Sequence, residues 1–504
     1  MGFICCAVVL SMLYGGTPAV CEGAPSNLRT HLSCSGEWFK EAEFFVERGL
    51  IPGALIVVKT PEWGLRIGSV GYADISTGTP HDPGMRYHVG GVTQIMLSTI
   101  VLQLEHEGKV TLDSPIDRLL GEGLVPNGNV ITLRDCLMMR SGLFDYSQAD
   151  IFKLTGKITD ANYSPTEILY RVRESLRKES QNPGSGFSYS YTGFLLVGMV
   201  VESIEKKHLG QVFEERIFKP LGMKDSFFAT SADITGLVAH GYENMSGIPV
   251  DCTSYGPSTL GAACAVVSTP FDILRFFREL FEGRSLLTAR SHRLMTTLAT
   301  TLDEEDTYGL GLMERLSRRG TWRGCETFIR GYSVMAGYYM QGQAYIMVFV
   351  NTGENGFAVE EIFRNTMRRI SGCPTDMSPA NGAVLDSDGG SVRLTWQSGF
   401  IYGDKYRVFI GDRRKIVHDA TVDKHEGVTM IETDFRTFHA DVKNLKTGKT
   451  YYWRVETFRE VPETELENAR LWRDHVREQN KQMPWFPVPE FESVSGPDYS
   501  FKLR

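Results

Sequence analysis

Tyr87-His88-Val89-Gly90-Gly91-Val92-Thr93-Gln94 leads directly into an apolar run that ends near Gly108. Leu97, Ile100, Val101 and Leu104 recur at i, i+3, i+4 and i+7, the spacing that lays one apolar stripe along a buried helix. Gly91 therefore stands at the mouth of a core helix, and Gln94 follows on the same face, one turn later. Upstream, the β-branched run from Ile51 through Val57 and Val58 to Lys59 reads as a buried strand, with a helix expected over 35–49 before it.

With Leu104-Glu105-His106-Glu107-Gly108 and Val110-Thr111-Leu112-Asp113-Ser114-Pro115 after it, this stretch resembles the serine β-lactamase and penicillin-binding-protein-like superfamily, in its class C and esterase branch. The resemblance implies Gly-Ser-x-x-Lys at the helix mouth, where this chain has Gly91 for the serine and Gln94 for the lysine. A serine hydroxyl attacks only when a base takes its proton, and a lysine one turn later is placed to do so. Gly91 has no side chain to attack with. The Gln94 amide has no titratable nitrogen.

The resemblance runs from about Cys34 to Cys373 and implies two further motifs. The first is Tyr-x-Asn on a loop entering a helix. Here Gly186-Phe187-Ser188-Tyr189-Ser190-Tyr191 keeps the tyrosine as Tyr189 and replaces the asparagine by Tyr191. The second is His-x-Gly or Lys-Thr-Gly on the strand lining the pocket, and counting back from Gly331-Tyr332-Ser333 places it at Cys325-Glu326-Thr327. The histidine expected before Ser141-Gly142-Leu143 is Met139. All three motifs fail at the positions that carry chemistry while the text around them is kept, so the expectation is a pseudoenzyme. Its cleft would be lined by Gly91, Gln94, Tyr189, Tyr191, Cys325 and Thr327, with no catalytic residue, no cofactor and no metal.

Two other Ser-x-x-Lys strings, at Ser175 and Ser203, lie in charged helical text and read as solvated faces. The rival from another class is a hydrolase of esters or amides with a rebuilt nucleophile, Cys325, with His88 the nearest base in sequence.

At 504 residues the chain has room for about two to four domains, and 42% hydrophobic with 23% charged residues describes a globular protein with ample core. A net charge of -8 argues against nucleic acid as partner. The apolar run over 3–14 is too short to span a bilayer, and with the small residues before Cys21 it reads as a signal peptide over 1–21, although no Lys or Arg precedes Arg29. The expected location is secreted or in an endomembrane lumen, with a mitochondrial destination as alternative. A lipidation reading of Gly2, Cys5 and Cys6 is disfavoured by Phe3 and the long apolar run. Cys34, Cys136, Cys252, Cys264, Cys325 and Cys373 remain after cleavage, an even set that permits disulfides whose pairing sequence does not choose. Asn244-Met245-Ser246 is a glycosylation sequon; Asn162-Tyr163-Ser164 is weakened by Pro165.

Beyond Cys373 the pattern changes. Val392, Leu394 and Trp396 alternate, as do Tyr406, Val408 and Ile410, and Tyr451, Trp453 and Val455, the period of half-buried strands. The run from Leu445 to Tyr451 resembles the fibronectin type III corner, with Trp396 as core tryptophan and the module spanning 376–460. The tail, 461–504, carries a charged helix candidate over 463–481 and then a proline-rich aromatic stretch, Met483 to Phe491. The expected fold class is thus α/β (α+β): an antiparallel sheet flanked by helices with an all-helical subdomain, followed by a β-sandwich. The expected role is a ligand-binding or structural subunit for an unknown small molecule or protein partner, possible in a larger assembly.

Overall fold

The computed structural model describes residues 40–149, 163–460 and 491–503, apart from short loop stretches inside them. The signal-peptide candidate, Cys34, Cys373, Asn162 and the helix candidate over 463–481 lie outside the described residues. The chain divides into two compact units, the first ending at Arg364 and the second beginning at Asn365.

In the first unit, β1 (Gly53–Thr60), β2 (Gly64–Asp74), β3 (Thr79–Pro80), β4 (Thr300–Thr301), β5 (Asp306–Tyr308), β6 (Met313–Ser317), β7 (Gly320–Ile329), β8 (Tyr332–Tyr339) and β9 (Ala344–Val350) form one sheet in the order β3-β2-β1-β9-β8-β7-β6-β5-β4. The sheet is antiparallel, β1 pairing with β9 from Ala54↔Val350 to Lys59↔Tyr345. Residues Ala54 to Val58 of β1 and every residue of β9 are buried, so these two strands read as continuous apolar runs without alternation. Strands covered on both faces have that pattern. On β1 and β2 packs α1 (Lys40–Glu47), the described part of the helix expected over 35–49.

The central helix, α2 (Val92–His106), is covered nearly all round rather than along one stripe. Twelve of its fifteen residues are buried, Thr93, Gln94, Ser98 and Thr99 among them. A helix with no wet face belongs inside a core. Most of its polar residues bond locally or to neighbours: Thr99 Oγ1 donates to the Ile95 carbonyl at 2.9 Å, and Thr93 Oγ1 accepts from the Val266 N–H at 3.1 Å, whereas the Ser98 hydroxyl has no hydrogen-bond partner among the described residues.

Beside α2 lies α3 (Tyr191–Glu205), equally apolar, with short helices around it making the helical part of the unit. At Gly198 a Cβ would come within 2.5 Å of the Ala262 Cβ, so the glycine is what lets α3 approach the 261–264 turn. On β8 and β9 packs α4 (Pro270–Phe281), capped by Thr269, whose hydroxyl accepts from the Asp272 N–H. The unit boundary falls within α5 (Gly356–Gly372).

The second unit is built from two sheets. Strands β10 (Thr375–Ser378), β12 (Val392–Gln397) and β15 (His439–Val442) form one in the order β10-β12-β15. Strands β11 (Ala383–Leu385), β13 (Lys405–Gly411), β14 (Thr429–Thr433), β16 (Thr450–Glu460), β17 (Phe491–Ser495) and β18 (Tyr499–Leu503) form the other, ordered β11-β18-β16-β13-β14 with β17 also on β16. The alternating residues meet in a shared core of Leu394, Trp396, Tyr406, Val408, Trp453, Val455 and Phe501. Two strands lie beyond the expected boundary at residue 460. Both pair with β16, so the end of the tail is sheet rather than helix or irregular chain.

Candidate functional site

The site forms where α2, α3, β5 and the far half of β7 converge. Strand β6 pairs with β7 only as far as Met313↔Gly324, so Cys325 to Phe328 have no β6 partner on that side. A cavity of about 310 Å³ opens there, and all six residues expected from the sequence line it: Gly91, Gln94, Tyr189, Tyr191, Cys325 and Thr327. Phe187, Tyr308, Met313, Glu326 and Phe328 complete the lining.

At its base, Gly91 is the N-cap of α2 with helical dihedrals, φ -61° and ψ -13°. Nothing in that conformation calls for glycine. A Cβ there would meet Cys325 Cβ at 3.4 Å and Thr327 Cβ at 3.6 Å, close but not overlapping. Its neighbour Gly90 differs: φ is +49°, and a Cβ would collide with the Thr327 side chain at 2.5 Å. Thr327 thus fills the place over the turn that a glycine at this strand position would leave open.

Gln94 is held at both ends of its amide. Tyr308 Oη donates to Gln94 Oε1 at 2.9 Å, and Gln94 Nε2 donates to Tyr189 Oη at 2.9 Å. The amide therefore occupies the position of a base but acts as a bridge between two phenols. Burial pushes the hydroxyls of Tyr191 and Tyr308 well above the usual phenol range, so both remain protonated. Tyr191 opens α3, its N–H donating to Asp145 Oδ1 at 3.2 Å. Its ring lies 5.6 Å from that of Tyr189, and Phe187 stands 5.6 Å from Tyr308 and 6.5 Å from Tyr189.

The Cys325 thiol is buried, and burial pushes it far up, against the thiolate a nucleophile requires. His88 does not supply a base. It sits in a two-residue strand paired with Val267, packs 5.3 Å from the Tyr332 ring, and is pushed down to about 4 by burial. Its buried Nδ1 has no hydrogen-bond partner among the described residues, as expected for a neutral core imidazole. The disulfide expectation is corrected for the described cysteines: Cys136, Cys252, Cys264 and Cys325 are free, buried thiols. An even count says nothing about burial, and these sulfurs are spent as small apolar core atoms.

Asn244 is exposed on a hairpin strand, Tyr242–Met245. A second, larger cleft of about 480 Å³ includes Asp74, His240 and Asp251; His240 Nδ1 lies 2.6 Å from Asp251 Oδ2. It is lined by none of the residues at the mouth of α2. No group of three or more metal-binding side chains occurs among the described residues, and no described helix is long and apolar enough to cross a membrane.

Of the five lining residues that the sequence did not assign to the site, Tyr308 and Phe187 bear most on its chemistry. Phe187 stands two residues before the motif tyrosine, whereas Tyr308 lies outside all three motifs.

This fold and this cavity define a β-lactamase-like protein with helices on an antiparallel sheet. The chain belongs to the beta-lactamase family, whose model matches residues 41–366. Among solved structures it is similar to a D-stereospecific amidohydrolase from Streptomyces sp., at 27% identity and TM-score 0.58, covering 65% of this chain and 98% of that one. It is also similar to the D-amino acid amidase from Ochrobactrum anthropi SV3 complexed with L-phenylalanine amide, at 25% identity and TM-score 0.58, covering 66% of this chain and 96% of that one. By sequence it is 24% identical over 308 residues to the Bacillus subtilis protein PbpX, covering 60% of this chain and 71% of PbpX.

Proposed function

We propose that the first unit is a pseudoenzyme of its family, a β-lactamase-like domain that binds a ligand in its old cleft, or serves as a structural subunit, without forming an acyl intermediate. The observation that carries this reading is the first turn of α2. Gly91 offers no nucleophile, and Gln94 is committed to Tyr308 and Tyr189. An apolar cavity with a few fixed polar groups suits binding.

The fibronectin type III-like reading of the second unit is supported by its corner. Tyr451 Oη accepts from the Lys446 N–H at 2.7 Å, with Leu445 packed on the core and Trp396 3% exposed. Such a module acts as a spacer or docking element. A secreted or lumenal destination, with glycosylation at Asn244, belongs to the same reading.

The test is an intact-mass spectrum of the folded protein before and after a fluorophosphonate and a β-lactam. The expected result is no adduct. A stoichiometric adduct on a residue of the cavity overturns the reading, and mapping it would identify the replacement nucleophile, Cys325 first among the candidates.

A further inference from the structure

We propose that the cavity at the mouth of α2 is an aromatic cage for an organic cation of the alkylammonium class. The proposal rests on the non-acylating reading above, since a ligand of this kind is held and not cleaved.

Three rings, Phe187, Tyr189 and Tyr308, bound one side of the cavity, with tilts of 51° and 57° between Phe187 and its two neighbours. Tyr191 continues the wall at 58° to Tyr189. Faces meeting at such angles form a corner that a rounded group can touch on more than one side. The negative face of an aromatic ring attracts a cation most strongly where water is excluded.

The charges nearby agree in sign. Among the described residues lining the cavity there is no Lys, Arg or His, so an anionic ligand has no partner to offset its desolvation. The one charged lining residue, Glu326, turns its carboxylate to Arg315 at 2.9 Å. Asp145, half-buried, accepts hydrogen bonds from Ser147 and the Tyr191 N–H, with no ion pair among the described residues.

Several of the helix-end amides, which would otherwise favour an anion, are already taken. Asp145 takes the first amide of α3, while the amides of Val92, Thr93 and Gln94 donate to the carbonyls of Val89, Gly90 and Gly91 at 2.9–3.2 Å. Five of the eleven lining residues are aromatic, beside the bridged Gln94 amide, the Cys325 thiol and the Thr327 hydroxyl.

The test compares two probes of one shape. Choline carries a trimethylammonium head; 3,3-dimethylbutan-1-ol has carbon in place of its nitrogen. Binding to the full chain is measured by calorimetry and by tyrosine fluorescence. The expected result is choline bound at least about tenfold more tightly, with that preference reduced several-fold in Phe187→Leu and again in Tyr189→Leu, a half-buried and an exposed side chain chosen so that folding survives. Equal affinity for the two probes, binding of neither, or a preference for choline untouched by both substitutions overturns the cage. None of these results produces a covalent adduct, so the failure of the cage and the failure of the non-acylating reading are told apart by the mass spectrum.

Discussion

The two ends of the central helix have followed different rules. From Ile95 to Leu104, α2 is a core element in which every residue but Gln103 is buried. Its opening, Gly91 to Gln94, is just as buried around Gln94, which is 3% exposed, yet there the residues that the family resemblance implies have been exchanged for a missing side chain and a bridged amide. Packing constrains volume and polarity along the whole helix. Chemistry constrains identity at two positions only, so the chemistry can be lost while the helix, the sheet and even the cavity persist.

If that separation is real, the largest effects lie in the body of the helix. Ile100→Ala should lower stability by about 2–5 kcal/mol, because a fully buried side chain leaves both lost transfer energy and a void. Chemical denaturation measures it. A loss below about 1 kcal/mol would mean that the helix body is looser than its burial implies.

Acid should act next, through the two buried histidines that precede the helix mouth in sequence. His88 and His81 are pushed down from 6.5 to about 4 and about 3, burial being the first cause for both. The unfolded chain therefore takes up protons that the folded one refuses. Their contribution is complete above pH 6.5 and is lost as pH falls towards those lower values, about 2 kcal/mol for His88 alone between pH 6.5 and 5. Replacing His88 by Gln should flatten that part of the stability profile. An unchanged slope would show that His88 is not the titrating group.

What could be read in advance follows from the same separation. The register of the motifs was enough to gather Gly91, Gln94, Tyr189, Tyr191, Cys325 and Thr327 around one cavity, because a helix mouth and a strand edge fix where such positions point. The Tyr308 bridge was not legible. It joins residues 214 apart, and no local period carries information about which distant hydroxyl will reach an amide. The burial of α2 goes beyond its apolar stripe, since a stripe counts apolar letters and overlooks threonines that bond within the fold, as Thr93 and Thr99 do. In the second unit, Tyr499, Phe501 and Leu503 do alternate, but the prolines before them drew attention away from a strand that pairs with β16.

The bridge itself predicts a smaller change. Gln94→Leu keeps the volume and removes the partner of two phenols, so stability should fall by about 1–3 kcal/mol, less if water replaces the amide. Tyr308, 6% exposed, has little access to water, whereas Tyr189 stands at the cavity mouth, 40% exposed. Pairing the substitution with Tyr308→Phe should recover part of the loss, because the hydroxyl left without an acceptor is then gone. Additivity of the two would argue that the bridge contributes nothing as a unit.

The smallest effect is expected at the position whose loss matters most to the chemistry. Gly91 has ordinary helical dihedrals and room for a Cβ at 3.4 Å from its nearest neighbour. Gly91→Ser should therefore change stability by less than about 1 kcal/mol and may be made without disturbing the fold, since the added side chain also lowers the entropy of the unfolded chain. Alone it should stay unlabelled by a fluorophosphonate, as Gln94 cannot take the serine proton. Joined to Gln94→Lys it should acquire slow labelling. Labelling of the single variant would reveal a base elsewhere in the cavity. Failure of the double variant to label would place the block in the bulk of Tyr191 and Thr327, which fill the cleft where the resemblance implies an asparagine and a glycine, and the chemistry would then have been closed off by packing as well as by the loss of its reacting groups.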